Sequence, residues 1–203
     1  MIGRRPLLAL PMLALGMPAM AAPGPIAFRM IRGGSPVGTH RVTFRDLDGG
    51  ILEARSEVRV EVKLMGFTVY RYSHDTAEQW RGDRLVSIAS RLDRNGTPGF
   101  CEGRAEAGGF LLRGTAGEAR LPVDAAPLTW WRQTSFRPGV PLFDPRRGEV
   151  VQPGVTVSPH PCGGAKVVLV GGEGAEVVYD AAGGWAGFAT TAEDGSAVRY
   201  EKA

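Results

Sequence analysis

The side chains of this chain best suited to chemistry are three histidines, two cysteines and a group of polar-edged aromatics. His40 and His74 each lie in an alternating stretch, on the side that carries apolar or aromatic neighbours. An imidazole titrates near neutral pH. The pair could therefore move a proton or hold a ligand head group inside a cavity, together with Tyr70, Tyr72 and Glu78. The competing explanation, which is favoured, makes each a buried histidine satisfied by a nearby carbonyl or hydroxyl. A hydrolase or isomerase using His40 or His74 is kept as an alternative, but it would also need a nucleophile or a metal. No Gly-x-Ser-x-Gly elbow and no His-Glu-x-x-His helix occurs. Asp75 and Glu78 fall on opposite faces by strand phase, so they form no carboxylate pair. No catalytic residue, metal site or cofactor is assigned.

Tyr70, Tyr72, Trp80, Trp130 and Trp131 form the second set. Aromatic rings with polar edges suit a concavity that takes an amphipathic or sugar-like ligand, and they equally suit an aromatic core. Trp130 and Trp131 are adjacent and cannot point the same way in regular structure, so one is expected in the core and the other nearer a rim. Cys101 and Cys162 remain. In an oxidising compartment they are expected to form one structural disulfide. His160 lies two residues before Cys162, but two cysteines and one histidine make a thin zinc site.

Strands must position these residues. The clearest runs from Ile51 to Leu64, where Leu52, Ala54, Ser56, Val58, Val60, Val62 and Leu64 share one face. Glu53, Arg55, Glu57, Arg59, Glu61 and Lys63 share the other, with alternating sign. A two-residue period held this long requires an extended strand, dry on one side and wet on the other. At about 3.3 Å per residue it spans roughly 45 Å, longer than most strands, and it must twist and coil. Gly38 to Arg45 repeats the pattern. Met65-Gly66 forms a tight corner, and Phe67 to Trp80 follows with Tyr70, Tyr72, His74, Thr76 and Trp80 on one side. Further strands are predicted near 26–32, 84–93, 98–106, 109–115, 149–157, 166–171, 174–180, 185–191 and 196–201. Among 29 glycines, Asp48-Gly49-Gly50, Asn95-Gly96, Gly108-Gly109 and Asp194-Gly195 mark hairpin turns. A short helical turn is expected near 127–133. An irregular loop over the surface or a sheet mouth is expected across the proline-rich 137–145. No exposed apolar patch is evident, which weakens a third possibility, a scaffold docking a protein partner.

Residues 1–21 read as a secretory signal: Arg4 and Arg5, an apolar run from Pro6 to Met17, then Ala19-Met20-Ala21. The run is shorter than the roughly 20 apolar residues needed to span a bilayer. Gly3-Arg4-Arg5-Pro6-Leu7-Leu8 is also similar to a twin-arginine signal. Residues 22–203 are then one β domain. Removing Arg4 and Arg5 takes the net charge from +3 to +1, so bulk charge gives no argument for nucleic-acid binding.

Several short motifs carry a resemblance: Val37-Gly38-Thr39-His40-Arg41, Val62-Lys63-Leu64, Tyr70-Arg71-Tyr72-Ser73-His74 and Trp80-x-Gly82-x-x-Leu85. Leu128-Thr129-Trp130-Trp131, Val178-Tyr179-Asp180 and Asp194-Gly195-x-x-x-x-Tyr200 complete it. With these the chain resembles a family of exported proteobacterial proteins whose domain has no assigned function. In architecture it is distantly similar to periplasmic lipoprotein-carrier half-barrels and envelope-integrity β-spirals. The resemblance implies a periplasmic, all-β, long curved antiparallel sheet forming a half-barrel or incomplete barrel. Its concave face would bind a lipid, peptide or glycan without catalysis. Signal cleavage is expected after Ala21 or Ala22. The intact mass of protein recovered from the periplasm should match a chain starting at Ala22 or Pro23, and an uncleaved mass would contradict it.

Overall fold

A computed structural model describes residues 22–171, 174–192 and 194–203. The expected signal at 1–21 lies outside them. The first half of the chain is a meander of hairpins: β1 (Ile26–Arg32), β2 (Ser35–Leu47), β3 (Ile51–Leu64), β4 (Phe67–Arg81), β5 (Arg84–Arg94), β6 (Thr97–Glu106), β7 (Gly109–Gly114) and β8 (Gly117–Leu121). A central segment holds β9 (Ala126–Pro127), a 3-10 turn at Gln133–Phe136, β10 (Leu142–Asp144) and β11 (Glu149–Val151). A second meander follows: β12 (Gly154–Pro159), β13 (Ala165–Val170), β14 (Ala175–Tyr179), β15 (Trp185–Thr191) and β16 (Ala197–Lys202).

The two meanders join through β1 and β16 into one 13-stranded sheet, ordered β12-β13-β14-β15-β16-β1-β2-β3-β4-β5-β6-β7-β8. Every neighbouring pair is antiparallel. The terminal strands β12 and β8 do not pair, so the sheet stays open. The all-β antiparallel sheet is the one expected from the alternation, and that it is not closed agrees with the incomplete barrel the resemblance implied.

Register explains why one face is dry. His40, Val58, His74 and Leu92 stand opposite one another across β2 to β5. The next inward row is Val42, Ser56, Thr76, Ser90 and Cys101, and the one after it is Phe44, Ala54, Glu78 and Ile88. Charged residues occupy the alternate rows and pair outside: Arg59 with Asp75 at 2.6 Å, Arg91 with Glu102 at 2.7 Å, Arg113 with Glu118 at 2.6 Å. Such exposed pairs contribute little to stability, roughly 0–1 kcal/mol each. They mainly keep the outer face wet.

No α-helix occurs among the described residues, so the dry face is covered by the chain's own central segment. β9, β10 and β11 form a separate three-stranded sheet. Phe143 stacks on Phe110 at 6.0 Å, Trp131 meets Phe44 at 5.1 Å and Trp80 at 6.1 Å, and Trp130 meets Phe188 at 4.8 Å. The segment thus touches β2, β4 and β7 on one side and β15 on the other. It acts as a plug.

Several expectations are corrected. The proline-rich 137–145 is irregular and exposed or half-buried over 137–141, as expected, but Leu142, Phe143 and Asp144 are buried as a strand. The helical turn is displaced to Gln133–Phe136, because Ala126–Pro127 already pairs with Leu142–Phe143. The cysteines form no disulfide. Cys101 is buried on the inward face of β6, whereas Cys162 is exposed in the turn between β12 and β13. Burial pushes the Cys101 thiol up to about 12, so it is no reactive thiolate.

Exposed apolar residues also exist where none was expected. The β2–β3 ladder ends at Gly38 and Val60, and the β4–β5 ladder ends at Tyr72 and Arg94. Beyond these points the β3–β4 hairpin continues as two strands, and Leu64, Met65, Phe67 and Val69 around its tip are exposed. Gly38 marks the last close contact with β3, since a Cβ there would stand 2.2 Å from the Arg59 carbonyl oxygen.

Candidate functional site

The inward rows around His40 and His74 form a polar layer inside an apolar wall. His40 Nε2 lies 2.8 Å from Ser56 Oγ and Nδ1 lies 3.4 Å from the Tyr200 hydroxyl. Its ring packs edge-on to Trp185 at 4.9 Å. His74 Nε2 lies 2.7 Å from Ser90 Oγ, Thr76 donates to the same Ser90 oxygen at 3.3 Å, and the ring also donates to the Pro145 carbonyl. A neutral imidazole has one donor. A donated proton at Pro145 leaves Nε2 to accept from Ser90.

Burial lowers the His40 pKa to about 3 and the His74 pKa to about 4, with the neighbouring His74 charge adding to the effect at His40. At His74, Asp144 and Asp75 oppose the shift and Arg146 adds to it. Both rings are therefore uncharged at neutral pH. Ser90 with His74 has the spacing of a nucleophile and its base. A nucleophile must nevertheless touch its substrate, and Ser90 is only 1% exposed beneath the plug. The arrangement ties the plug at Pro145 to the β4 wall.

Glu78 makes the second tie. It is 2% exposed. Trp80 Nε1 donates to its Oε2 at 2.8 Å, Trp131 Nε1 donates to the same oxygen at 3.3 Å, and Thr129 adds a side-chain hydrogen bond. Burial raises its pKa to about 7, against the pull of those three donors and Arg132. The Arg132 guanidinium sits over the Trp80 ring at 4.3 Å and is salt-bridged to Asp83. Wall (Glu78, Trp80) and plug (Thr129, Trp131, Arg132) are thus joined by hydrogen bonds to a buried acid and a cation–π contact. Beside Trp80 and Arg132 a cleft of about 10 Å³ remains, room for about one water molecule.

The aromatic candidates divide accordingly. Trp80 and Trp131 are buried in this seam. Trp130 turns the other way, stacking on Phe136 at 6.0 Å and meeting Phe188 at a tilt at 4.8 Å, while its carbonyl accepts from the Tyr179 hydroxyl at 2.9 Å. Tyr70 and Tyr72 are half-buried towards the hairpin, Tyr72 lying 6.3 Å from the His74 ring. Thus the fold gathers His74, Tyr72 and the hydroxyl row, and separately Trp80, Trp131 and Glu78. His40 meets the hydroxyl row at Ser56 and otherwise packs against Trp185 and Tyr200.

Open space lies elsewhere. Where β2 parts from β3 a groove of about 490 Å³ opens, lined by Pro36, Val37 and Val62, with Arg32, Ser35, Glu61, Lys63 and Ser196 around it. Arg32 is paired with Asp194 and donates to Ser196 at 2.6 Å, and Lys63 lies 3.9 Å from Glu61. None of these lining residues stood out as a candidate in the sequence. The signal that could have found them is the mixture of apolar residues and cations at the end of the long strand. Among the described residues, no group of three or more His, Cys, Asp or Glu could hold a metal ion.

Comparison with known proteins adds a family and no activity. The family model described as "Domain of unknown function (DUF6134)" matches residues 28–203, and the chain belongs to that family. No curated protein and no solved structure matches it.

The buried acid and the buried imidazoles oppose one another with pH. The two histidines contribute stability that is complete above pH 6.5 and lost as pH falls towards 4 and 3. Glu78 contributes stability that is complete below about pH 4.5 and lost as pH rises through about 7. Glu78→Gln removes only the second effect. Its stability relative to wild type, from urea unfolding, should rise between pH 5 and pH 8 by on the order of 3 kcal/mol at most. A difference independent of pH would contradict a raised Glu78 pKa.

Proposed function

We propose that this member of the domain-of-unknown-function family is an exported, non-catalytic binding protein of the periplasm. Its ligand is amphipathic, a single apolar chain with an anionic head, and it sits where β2 and β3 part. The observation that carries the reading is the groove itself: about 490 Å³ of open space with an apolar floor and two cations at its rim. That volume falls within the roughly 300–1,000 Å³ of small-molecule sites. Pro36, Val37 and Val62 would cover an acyl chain or an apolar peptide side chain. Lys63 and Arg32, paired here with Glu61 and Asp194, would turn to a ligand carboxylate or phosphate.

The closed interior supports binding over catalysis. His40, His74 and Glu78 are engaged by hydrogen bonds to neighbouring side chains, and His40 and Glu78 are buried. Export rests on the Arg4-Arg5 signal pattern and agrees with this reading, since an envelope protein meets acyl chains and their carriers.

A fluorescent dodecanoate analogue tests the groove. Wild type should bind it saturably. Val62→Trp, which fills the floor with a larger ring, should weaken binding by about tenfold or more, roughly 1.4 kcal/mol, with the thermal midpoint unchanged. Non-saturable uptake, or equal affinity in Val62→Trp, would contradict the proposal.

A further inference from the structure

The tip of the β3–β4 hairpin breaks the rule that turns between strands are polar. Met65 is 91% exposed, Phe67 76%, Leu64 62% and Val69 54%. The turn makes the choice of residue more telling. Met65 has φ 51° and Gly66 φ 86°, both left-handed, the geometry in which the first position favours Asn, Asp or Gly. Asn95-Gly96 meets the same requirement, φ 53° and 82°, with the expected polar residue. At the hairpin tip an unbranched apolar side chain takes a backbone conformation that disfavours it and points into water.

From these observations we infer that the hairpin is a membrane-insertion device, its tip entering the acyl region of an anionic bilayer. Three features select a lipid surface over a protein. The patch is convex and borne by four side chains at the end of a two-stranded ribbon, far short of the roughly 1,200 Å² a stable protein interface buries. Cations stand one layer behind the apolar tip: Lys63 and Arg71 flank it on the two strands, each 3.9 Å from Glu61, leaving the ribbon net positive. Tyr70 sits at the same depth, and tyrosine with long cationic side chains suits the interfacial zone where apolar stem and polar end are both satisfied. The register allows the tip to enter without disturbing the sheet, since residues beyond Val60 and Arg71 pair only with each other. The inference does not depend on groove occupancy, though the groove opens at the base of the same hairpin.

Flotation of the mature chain with phosphatidylglycerol vesicles, and with phosphatidylcholine vesicles in parallel, tests it. Wild type should float with the anionic vesicles and far less with the zwitterionic ones. Met65→Asp/Phe67→Asp alters only exposed side chains and should fold normally. It should lose about tenfold or more of the partitioning while keeping dodecanoate binding. Arg71→Ala should weaken partitioning by about fivefold and flatten its salt dependence, and Val62→Trp should still float. Equal partitioning of wild type and the double variant would overturn the inference. So would absence of wild-type flotation together with a concentration-dependent dimer that the double variant abolishes, which would make the tip a contact between copies of this chain.

Discussion

A sheet of thirteen strands with one apolar face must be covered, and among the described residues no α-helix lies over it. The constraint is met from within. Residues 125–151, between the two meanders, lie against the inward rows of both halves. Polar ties seat that cover: Glu78 with Trp80, Trp131 and Thr129, His74 with Ser90 and the Pro145 carbonyl, and the Tyr179 hydroxyl with the Trp130 carbonyl. Hydrogen bonds to buried polar groups stabilise modestly when made and are expensive when lost. These ties therefore specify where the plug sits more than they add to how tightly it packs. A cover held only by Phe143 against Phe110 could slide. One held by an acid shared between two indoles has a single register.

The same constraint explains where the protein is open. The plug fills the sheet around Trp80, Phe110 and Phe143. It leaves the distal ends of β3 and β4, the longest strands, beyond their neighbours. There the inward row continues through Val60, Val62, Tyr70 and Tyr72 with less to cover it, and the apolar character of β3 passes into an exposed tip. Groove and tip thus follow from one mismatch: two strands extend past the adjacent ladders, and the sequence keeps them apolar.

Much of this was legible from residue order alone. The alternation from Ile51 to Leu64 fixed a strand of the same bounds, and the Gly-rich pairs located most hairpins, because period and turn chemistry are local properties. The inward placement of His40, His74, Thr76 and Trp80 followed from parity. The fate of residues 137–145 did not follow. Proline predicts an irregular path whether the segment lies inside or outside, and only Phe143 and Leu142 hinted that it was inside. The disulfide expectation failed for a related reason: compartment and count say nothing about whether two cysteines face one another, and Cys101 faces the core. Glu78 was visible as an inward acid, but its two indole partners come from 2 and 53 residues away. The exposed tip was missed, although Leu64-Met65-Gly66-Phe67 lacks the polar residues that hairpin turns favour.

The central claim is that, among the described residues, the inner face is occupied by the chain itself, so that the proposed ligand enters where β2 and β3 part. Backbone and indole NMR shifts during titration with dodecanoate test it most directly. The account predicts saturable shifts at Val37, Val62, Lys63 and Ser196, with the Trp80 and Trp131 indole signals and the Thr129 amide unmoved. Shifts concentrated at Trp131, Thr129 and His74 instead would mean that the plug yields its place to ligand, and would contradict it.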